Sequence, residues 1–73
     1  MWIKHNNAIY NTSYISRIDA RKTKLYAIFE DGEEILIGSF KSMKQCNEIL
    51  SNITKALLFE SPDNPGIIIK DTR

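Results

Sequence analysis

The feature that most constrains the fold is segment 24–42, in which two apolar runs flank Asp31-Gly32 and are followed by Ser42. Asp-Gly is a strong signal for a β-hairpin, because a tight hairpin turn needs positive φ angles. Ser42 is followed three residues later by Gln45, and this spacing forms a capping box at the start of a helix. The segment therefore predicts a strand, a turn, a second strand and a helix, in that order.

The rest of the chain indicates further short strands and one amphipathic helix. Apolar residues recur every three or four positions from Cys46 to Leu57, which predicts a C-terminal helix over about 42–60. The breaker-rich stretch 61–66 ends this helix, and a β-branched run predicts a final strand over about 67–70. We expect an α+β fold, with a small antiparallel sheet of four to five strands and the helix packed on one of its faces.

Both faces of the predicted hairpin are apolar, which indicates a contact with a partner. A two-residue turn places Ile28 opposite Ile35 and Tyr26 opposite Ile37, whereas a three-residue turn would shift this register. The helix can cover only one face of the sheet, so the other face needs a cover. Trp2 fits either the core or an interface. The predicted protein interface comprises Trp2, Tyr26, Ile28, Ile35 and Ile37.

Composition narrows the function classes. The chain has 73 residues, 42% of them hydrophobic, and we expect one domain over residues 1–73. Its net charge of +1 lacks the basic excess typical of nucleic-acid or anionic-membrane binding. With a single cysteine, no internal disulfide can form, and no apolar run reaches the length that spans a bilayer. We expect a cytoplasmic location in a bacterial host.

Charged residues gather at both ends of the hairpin. A basic turn, which could contact phosphate or an acidic protein, contains Arg17, Arg21, Lys22 and Lys24. An acidic tip, which could contact a basic partner, contains Glu30, Asp31, Glu33 and Glu34. The plainer interpretation of both groups is a solvated surface, and the strand between them is expected to keep the two ends apart.

No residues form a catalytic or metal-binding pattern. His5 is expected in a solvated turn and Cys46 on the buried stripe of the helix, so the two do not suggest a nucleophilic pair. The spacing of potential ligands supports no metal site, and no cofactor is expected. Residues 71–73 are expected to be frayed. The sequence therefore favours a protein that is not an enzyme.

Several of these motifs occur together in a known group of proteins. Met1-Trp2-Ile3, the run from Asp31-Gly32 to Phe40 and the Ser42 cap resemble those of small uncharacterised α+β proteins from Gram-positive bacteria, their phages and other mobile elements. The order of hairpin and helix is also similar to that of small flagellar-operon proteins. The first resemblance implies an α+β fold and a mobile-element setting, and it implies no activity for any residue.

Three functions remain open. The leading hypothesis is a non-enzymatic protein-interaction module that self-associates, with a dimer favoured, and that serves a phage or mobile element by binding or inhibiting a host protein, for example in defence. The second is a nucleic-acid-associated accessory that uses the basic turn 17–24. The third is an oligomer that binds or sequesters a small ligand such as a nucleotide. The sequence leaves open whether the final strand pairs with its own sheet or with a second chain.

Overall fold

The computed structural model describes residues 1–58 and 66–72 of the chain. The expected α+β class is confirmed, and residues 59 and 60 of the predicted helix lie outside the described residues. A 3-10 turn at Thr12–Tyr14 separates the second and third strands. The elements in order are β1 (Trp2–His5), β2 (Ala8–Asn11), β3 (Ile15–Arg21), β4 (Lys24–Phe29), β5 (Glu34–Ser39), α1 (Met43–Leu58) and β6 (Gly66–Ile69).

The strands form two small sheets instead of the single antiparallel sheet that was predicted. The first sheet has the order β2-β1-β6 and the second has the order β3-β4-β5. Strands β1 and β2 form a hairpin in which Asn6 takes a φ of 55°. Strand β6 pairs in parallel with β1, so the two ends of the chain lie side by side. Local periodicity does not report such a long-range pairing, which is why the sequence did not predict it.

The register of the central hairpin differs from the one predicted. Ala27 lies opposite Ile35 and Tyr26 opposite Leu36. The Phe29 amide donates to the Glu33 carbonyl over 2.8 Å, which leaves a three-residue loop at 30–32. Gly32 takes a φ of 89° in this loop, a conformation that suits glycine. The predicted opposition of Ile28 to Ile35 was therefore wrong, because the turn contains one residue more than assumed.

This register decides which side chains enter the core. Ile37 is fully buried, whereas its neighbour Leu36 is 38% exposed. Gly38 makes room for the aromatic ring of Phe40, since a Cβ atom at Gly38 would lie 2.7 Å from that ring. The core cluster comprises Ile3, Leu25, Ala27, Ile37, Phe40, Cys46, Ile53 and Ile69.

The helix begins at the predicted cap. The Ser42 hydroxyl accepts a hydrogen bond from the Gln45 amide over 3.2 Å, and the Gln45 side chain accepts one from the Lys41 amide. Cys46 and Ile53 bury the centre of the apolar stripe. Helix α1 has 16 residues, and none of the described helical structure is long and apolar enough to cross a membrane.

Asp71 joins the two sheets, although the sequence predicted a frayed tail. Its Oδ1 atom accepts hydrogen bonds from His5 Nε2 and from the Ser39 amide, each over 2.9 Å. The Thr72 amide donates to the Ser39 carbonyl. His5 is only 6% exposed, so its prediction as a solvated turn residue was wrong. The residue ends β1 with its side chain directed inward, and its place in a sheet depends on the strands beside it.

Candidate functional site

The outer face of the first sheet is apolar. Side chains alternate along each strand, so Ile3 and His5 enter the interior while Trp2 and Lys4 point outward. The register places Ile9 on one side of Lys4 and Ile68 on the other. We call the surface formed by Trp2, Lys4, Ile9 and Ile68 the first outer face.

Large apolar side chains remain exposed on this first outer face. Trp2 is 49% exposed, Ile9 60% and Ile68 67%. Gly66 lies beside Trp2, where a Cβ atom would come within 2.8 Å of the Trp2 carbonyl oxygen. Lys4 forms no ion pair with any residue in 1–58 or 66–72. The face therefore combines three exposed apolar side chains with a cation that has no ion pair among the described residues.

The outer face of the second sheet is covered by ion pairs. We call the surface formed by Arg17, Asp19, Arg21, Tyr26, Glu34 and Leu36 the second outer face. Arg17 Nε lies 3.2 Å from both Asp19 oxygens, and Arg21 reaches Asp19 over 3.3 Å and Glu34 over 2.5 Å. The Arg21 guanidinium lies over the Tyr26 ring, with its Cζ atom 4.9 Å from the centroid.

These pairs shift the titration of the charged groups involved. A hydrogen bond from Arg17, assisted by Arg21, lowers the pKa of Asp19, whose ordinary value is 3.8. The hydrogen bonds and charge of Arg21 lower the pKa of Glu34 from its ordinary 4.5, and Glu34 in turn raises the pKa of Arg21. Both carboxylates are therefore ionised at neutral pH and balance the two arginines.

The predicted charged ends do not stay apart. Arg21 of the basic turn reaches across Tyr26 to Glu34 of the acidic tip, and Arg17 pairs with Asp19. The remaining members of both groups, Lys22, Lys24, Glu30, Asp31 and Glu33, are exposed around the two turns. Much of the positive charge expected to attract phosphate is thus neutralised within the chain, which weakens the case for nucleic-acid binding.

The predicted apolar interface is divided by the observed register. Ile37 lies in the core and Ile35 packs against it, so neither belongs to the face that carries Tyr26. Ile28 is buried and Tyr26 is half-buried beneath Arg21. The prediction that these four residues share one exposed face was wrong. Of the predicted interface residues, only Trp2 belongs to the exposed residues.

Sequence reasoning missed Ile9, Ile68 and Lys4 as surface candidates. The alternation of Trp2, Ile3 and Lys4 already indicates that Trp2 and Lys4 share a face. The run Ile67–Ile69 carries no such signal, since three identical side chains do not reveal which of them points outward. Only the pairing of β6 with β1 shows that Ile68 shares the face of Lys4.

The chain's single cysteine, Cys46, and its single histidine, His5, are both buried. Cys46 is in the core, and burial raises the pKa of its thiol. His5 and Ser39 both meet Asp71, but Asp71 lies between them and holds the backbone amide of Ser39. A hydrolytic triad instead places histidine between the acid and the serine hydroxyl. Across residues 1–58 and 66–72, His, Cys, Asp and Glu side chains form no cluster of three suited to a metal ion.

Comparisons with protein-family models, with curated proteins and with solved structures found no match. The functional argument therefore rests on the chain's own surfaces. Two of them differ sharply in chemistry, the apolar first outer face and the ion-paired second outer face.

Proposed function

We propose that the protein is a non-enzymatic protein-interaction module that dimerises by stacking the first outer face of one copy on that of a second copy. The observation that carries the proposal is the joint exposure of Trp2, Ile9 and Ile68 on three adjacent strands. Aromatic side chains are enriched at the centres of protein interfaces, and contiguous apolar surface on a small protein commonly marks a contact site.

A second copy fits this face because two sheets can interdigitate. Stacked sheets pack about 10 Å apart, with the side chains of one between those of the other. Ile9 and Ile68 lie on the two outer strands. Gly66, which has no side chain, leaves a shallow depression beside Trp2. A two-fold axis, the commonest symmetry of homodimers, lets the raised side chains of each copy enter the low region of the other.

The size of the face predicts a weak dimer. Four-residue strands and three-strand width give a footprint of about 13 by 14 Å. Two such faces bury less than the roughly 1,200–2,000 Å² of a standard specific interface. We therefore expect a dissociation constant on the order of 10–500 µM, which permits exchange between copies or replacement by another partner.

Lys4 limits the affinity further, because its ammonium group lies between Ile9 and Ile68. A charge enclosed in an apolar contact without a partner is unfavourable. The flexible lysine stem can remain in the contact while its charged end reaches the rim and stays solvated. The dimer is thus expected to tolerate Lys4 at a cost in affinity.

Sedimentation equilibrium from about 10 to 500 µM tests the proposal, with dissociation constants extracted over the range expected for a weak pair. The wild-type protein should move from monomer towards dimer, and Ile68→Asp should remain monomeric over the same range. Trp2 is the chain's single tryptophan, so its fluorescence reports this face alone. Its emission should shift to the blue as the protein concentration rises.

Met43→Asp is the matched control, since Met43 is also largely exposed but lies at the start of the helix. This variant should dimerise as the wild type does. A wild-type protein that stays monomeric up to the highest concentration would overturn the proposal. Equal behaviour of the Ile68 and Met43 variants would also overturn it, because the dimer would then use another surface.

A further inference from the structure

A second surface with chemistry suited to binding lies along strand β3, in the second sheet. This strand is at the edge of the second sheet, and β4 is its one neighbouring strand in the described ranges 1–58 and 66–72. Apart from the Ile15 amide, which donates to the Thr12 carbonyl, its ordered backbone pairing is with β4. In an antiparallel pair, every second residue directs its N–H and C=O groups away from the partner. The outer edge of β3 therefore presents backbone groups that a further strand can bind.

An apolar groove runs beside this edge, between β3 and the C-terminal half of α1. It has a volume of about 280 Å³ and is lined on the strand side by residues 15–18. Leu50, Leu57 and Leu58 line it on the helix side. Leu58 is one of the most exposed large apolar residues in the described chain. The groove is thus an apolar depression next to unpaired backbone groups.

We infer that this groove binds an extended peptide, which adds to β3 as a fourth strand of the second sheet. Strand addition takes its affinity from main-chain hydrogen bonds and its selectivity from alternate side chains that enter pockets. The groove volume lies at the small end of the range for small-molecule sites and suits one or two apolar side chains better than a whole nucleotide.

The charges along β3 define the peptide further. Its outward residues are Arg17, Asp19 and Arg21. Arg21 pairs with both Asp19 and Glu34, whereas Arg17 pairs with Asp19 alone, is 63% exposed and lines the groove. Opposite charges on neighbouring strands stabilise their pairing, so an acidic side chain is favoured beside Arg17 on the outer face of the added strand. Apolar side chains are favoured at the alternate positions, which point to the side of the sheet on which the groove lies. The preferred ligand is therefore an extended peptide that alternates apolar and acidic residues.

The irregular pairing around Ser16 sets where the peptide can bind. The register between β3 and β4 shifts between Ile15 and Arg17 and is regular from Arg17 to Arg21. A bulge bends its strand and interrupts regular pairing. We expect the added strand to pair along residues 17–21 and to place a side chain at one of its ends in the groove.

The experiment uses two synthetic octapeptides of alternating leucine and glutamate, one of them N-methylated at alternate backbone amides. Binding is followed by shifts of the protein's amide and methyl NMR signals up to about 2 mM peptide, since isolated strand addition is expected to be weak. The unmodified peptide should shift amides of 17–21 and methyls of Leu57 and Leu58. The N-methylated peptide, which lacks strand-pairing donors, should bind at least about tenfold more weakly.

Variants on the helix distinguish peptide binding in the groove from nonspecific binding to apolar surface. Leu58→Asn should weaken binding about fivefold or more, whereas Met43→Asn, at the other end of the same helix, should leave it unchanged. Equal binding of both peptides would overturn strand addition. Shifts confined to Trp2, Ile9 and Ile68, or no binding of the unmodified peptide, would overturn the assigned site.

This inference is independent of the proposed dimer, and the experiments distinguish the two. Ile68→Asp removes the expected dimer contact but leaves the groove intact, because Ile68 belongs to the first sheet. That variant should bind the peptide as the wild type does. A monomeric wild type with a functional groove would overturn only the dimer, and a dimeric wild type without peptide binding would overturn only the groove.

Discussion

The first outer face exposes Trp2, Ile9 and Ile68, whereas the second outer face covers Tyr26 with ion-paired side chains. The two sheets have three strands each, and both direct apolar side chains into the common core. On the second sheet, Arg21 spans the aromatic ring and pairs with Asp19 and Glu34. On the first sheet, Lys4 has no acidic side chain in the described chain to pair with.

The difference shows that the solvent-facing side of a small sheet can either be covered by ion-paired side chains or be left apolar. Exposed ion pairs add little to the free energy of folding, but they keep a partly apolar surface hydrated. The first outer face has no such cover and is therefore better suited to contact another protein. Counting apolar residues along the strands does not distinguish the two faces, because the cover of Tyr26 comes from charged side chains on neighbouring strands.

The largest expected effect concerns the inner and outer sides of β5. Ile37→Ala should lower the free energy of unfolding by about 2–5 kcal/mol, because it leaves a cavity in the core. Leu36→Ala should lower it by less than about 1 kcal/mol, since Leu36 lies on the second outer face. Urea unfolding followed by circular dichroism measures both. Ile37→Val provides a folded comparison if the alanine variant is too unstable, and a larger loss at Leu36 would contradict the register.

The connection between the two sheets should have the next largest effect. Asp71→Ala removes the acceptor of the buried His5 donor and of the Ser39 amide, and should lower the free energy of unfolding by about 1–3 kcal/mol. Asp71→Asn keeps a side-chain oxygen and should recover part of this loss. Asp31→Ala is the control, because the Asp31 carboxylate also accepts from a backbone amide but is exposed. Equal losses at both sites would show that Asp71 does not join the sheets energetically.

A change in the charge of the first outer face should have a smaller effect. Lys4→Met removes the charge between Ile9 and Ile68 and should lower the dissociation constant of the proposed dimer about three- to tenfold. Lys24→Met makes the same change on the second sheet and should have no effect on this constant. Sedimentation equilibrium measures both variants. A weaker dimer for Lys4→Met would indicate that Lys4 meets an acidic group of the second copy.

The smallest effect is expected in the titration of the second outer face. NMR of the carboxyl carbons should give midpoints below 3.8 for Asp19 and below 4.5 for Glu34, because the arginines favour the ionised forms. A carboxylate whose pKa is lowered on folding stabilises the protein above its ordinary pKa, and this contribution disappears as the pH falls through the lowered value. Stability should therefore decline slightly in this acidic window. Arg21→Gln should raise both midpoints, and unchanged midpoints would contradict the pairing.

Local signals in the sequence predicted much of the fold. The capping box at Ser42 and the apolar stripe from Cys46 placed the helix correctly, since both depend on residues within a few positions of each other. Asp31-Gly32 correctly located the hairpin. Its register was wrong because the number of loop residues also depends on the packing of both strands. The candidate site was only partly predicted, through Trp2, because Ile9 and Ile68 reach the same face by pairing with β1.

The sequence by itself determined the α+β class, the hairpin and the helix, because hydrogen bonds and side-chain alternation between near neighbours specify these elements. The tertiary structure decided that Ile37 is buried and Ile68 exposed, and that Arg21 covers Tyr26. It also decided that His5 and Asp71, at opposite ends of the chain, meet between the two sheets. These outcomes depend on which strands lie side by side, and that pairing is set by the packing of the whole core.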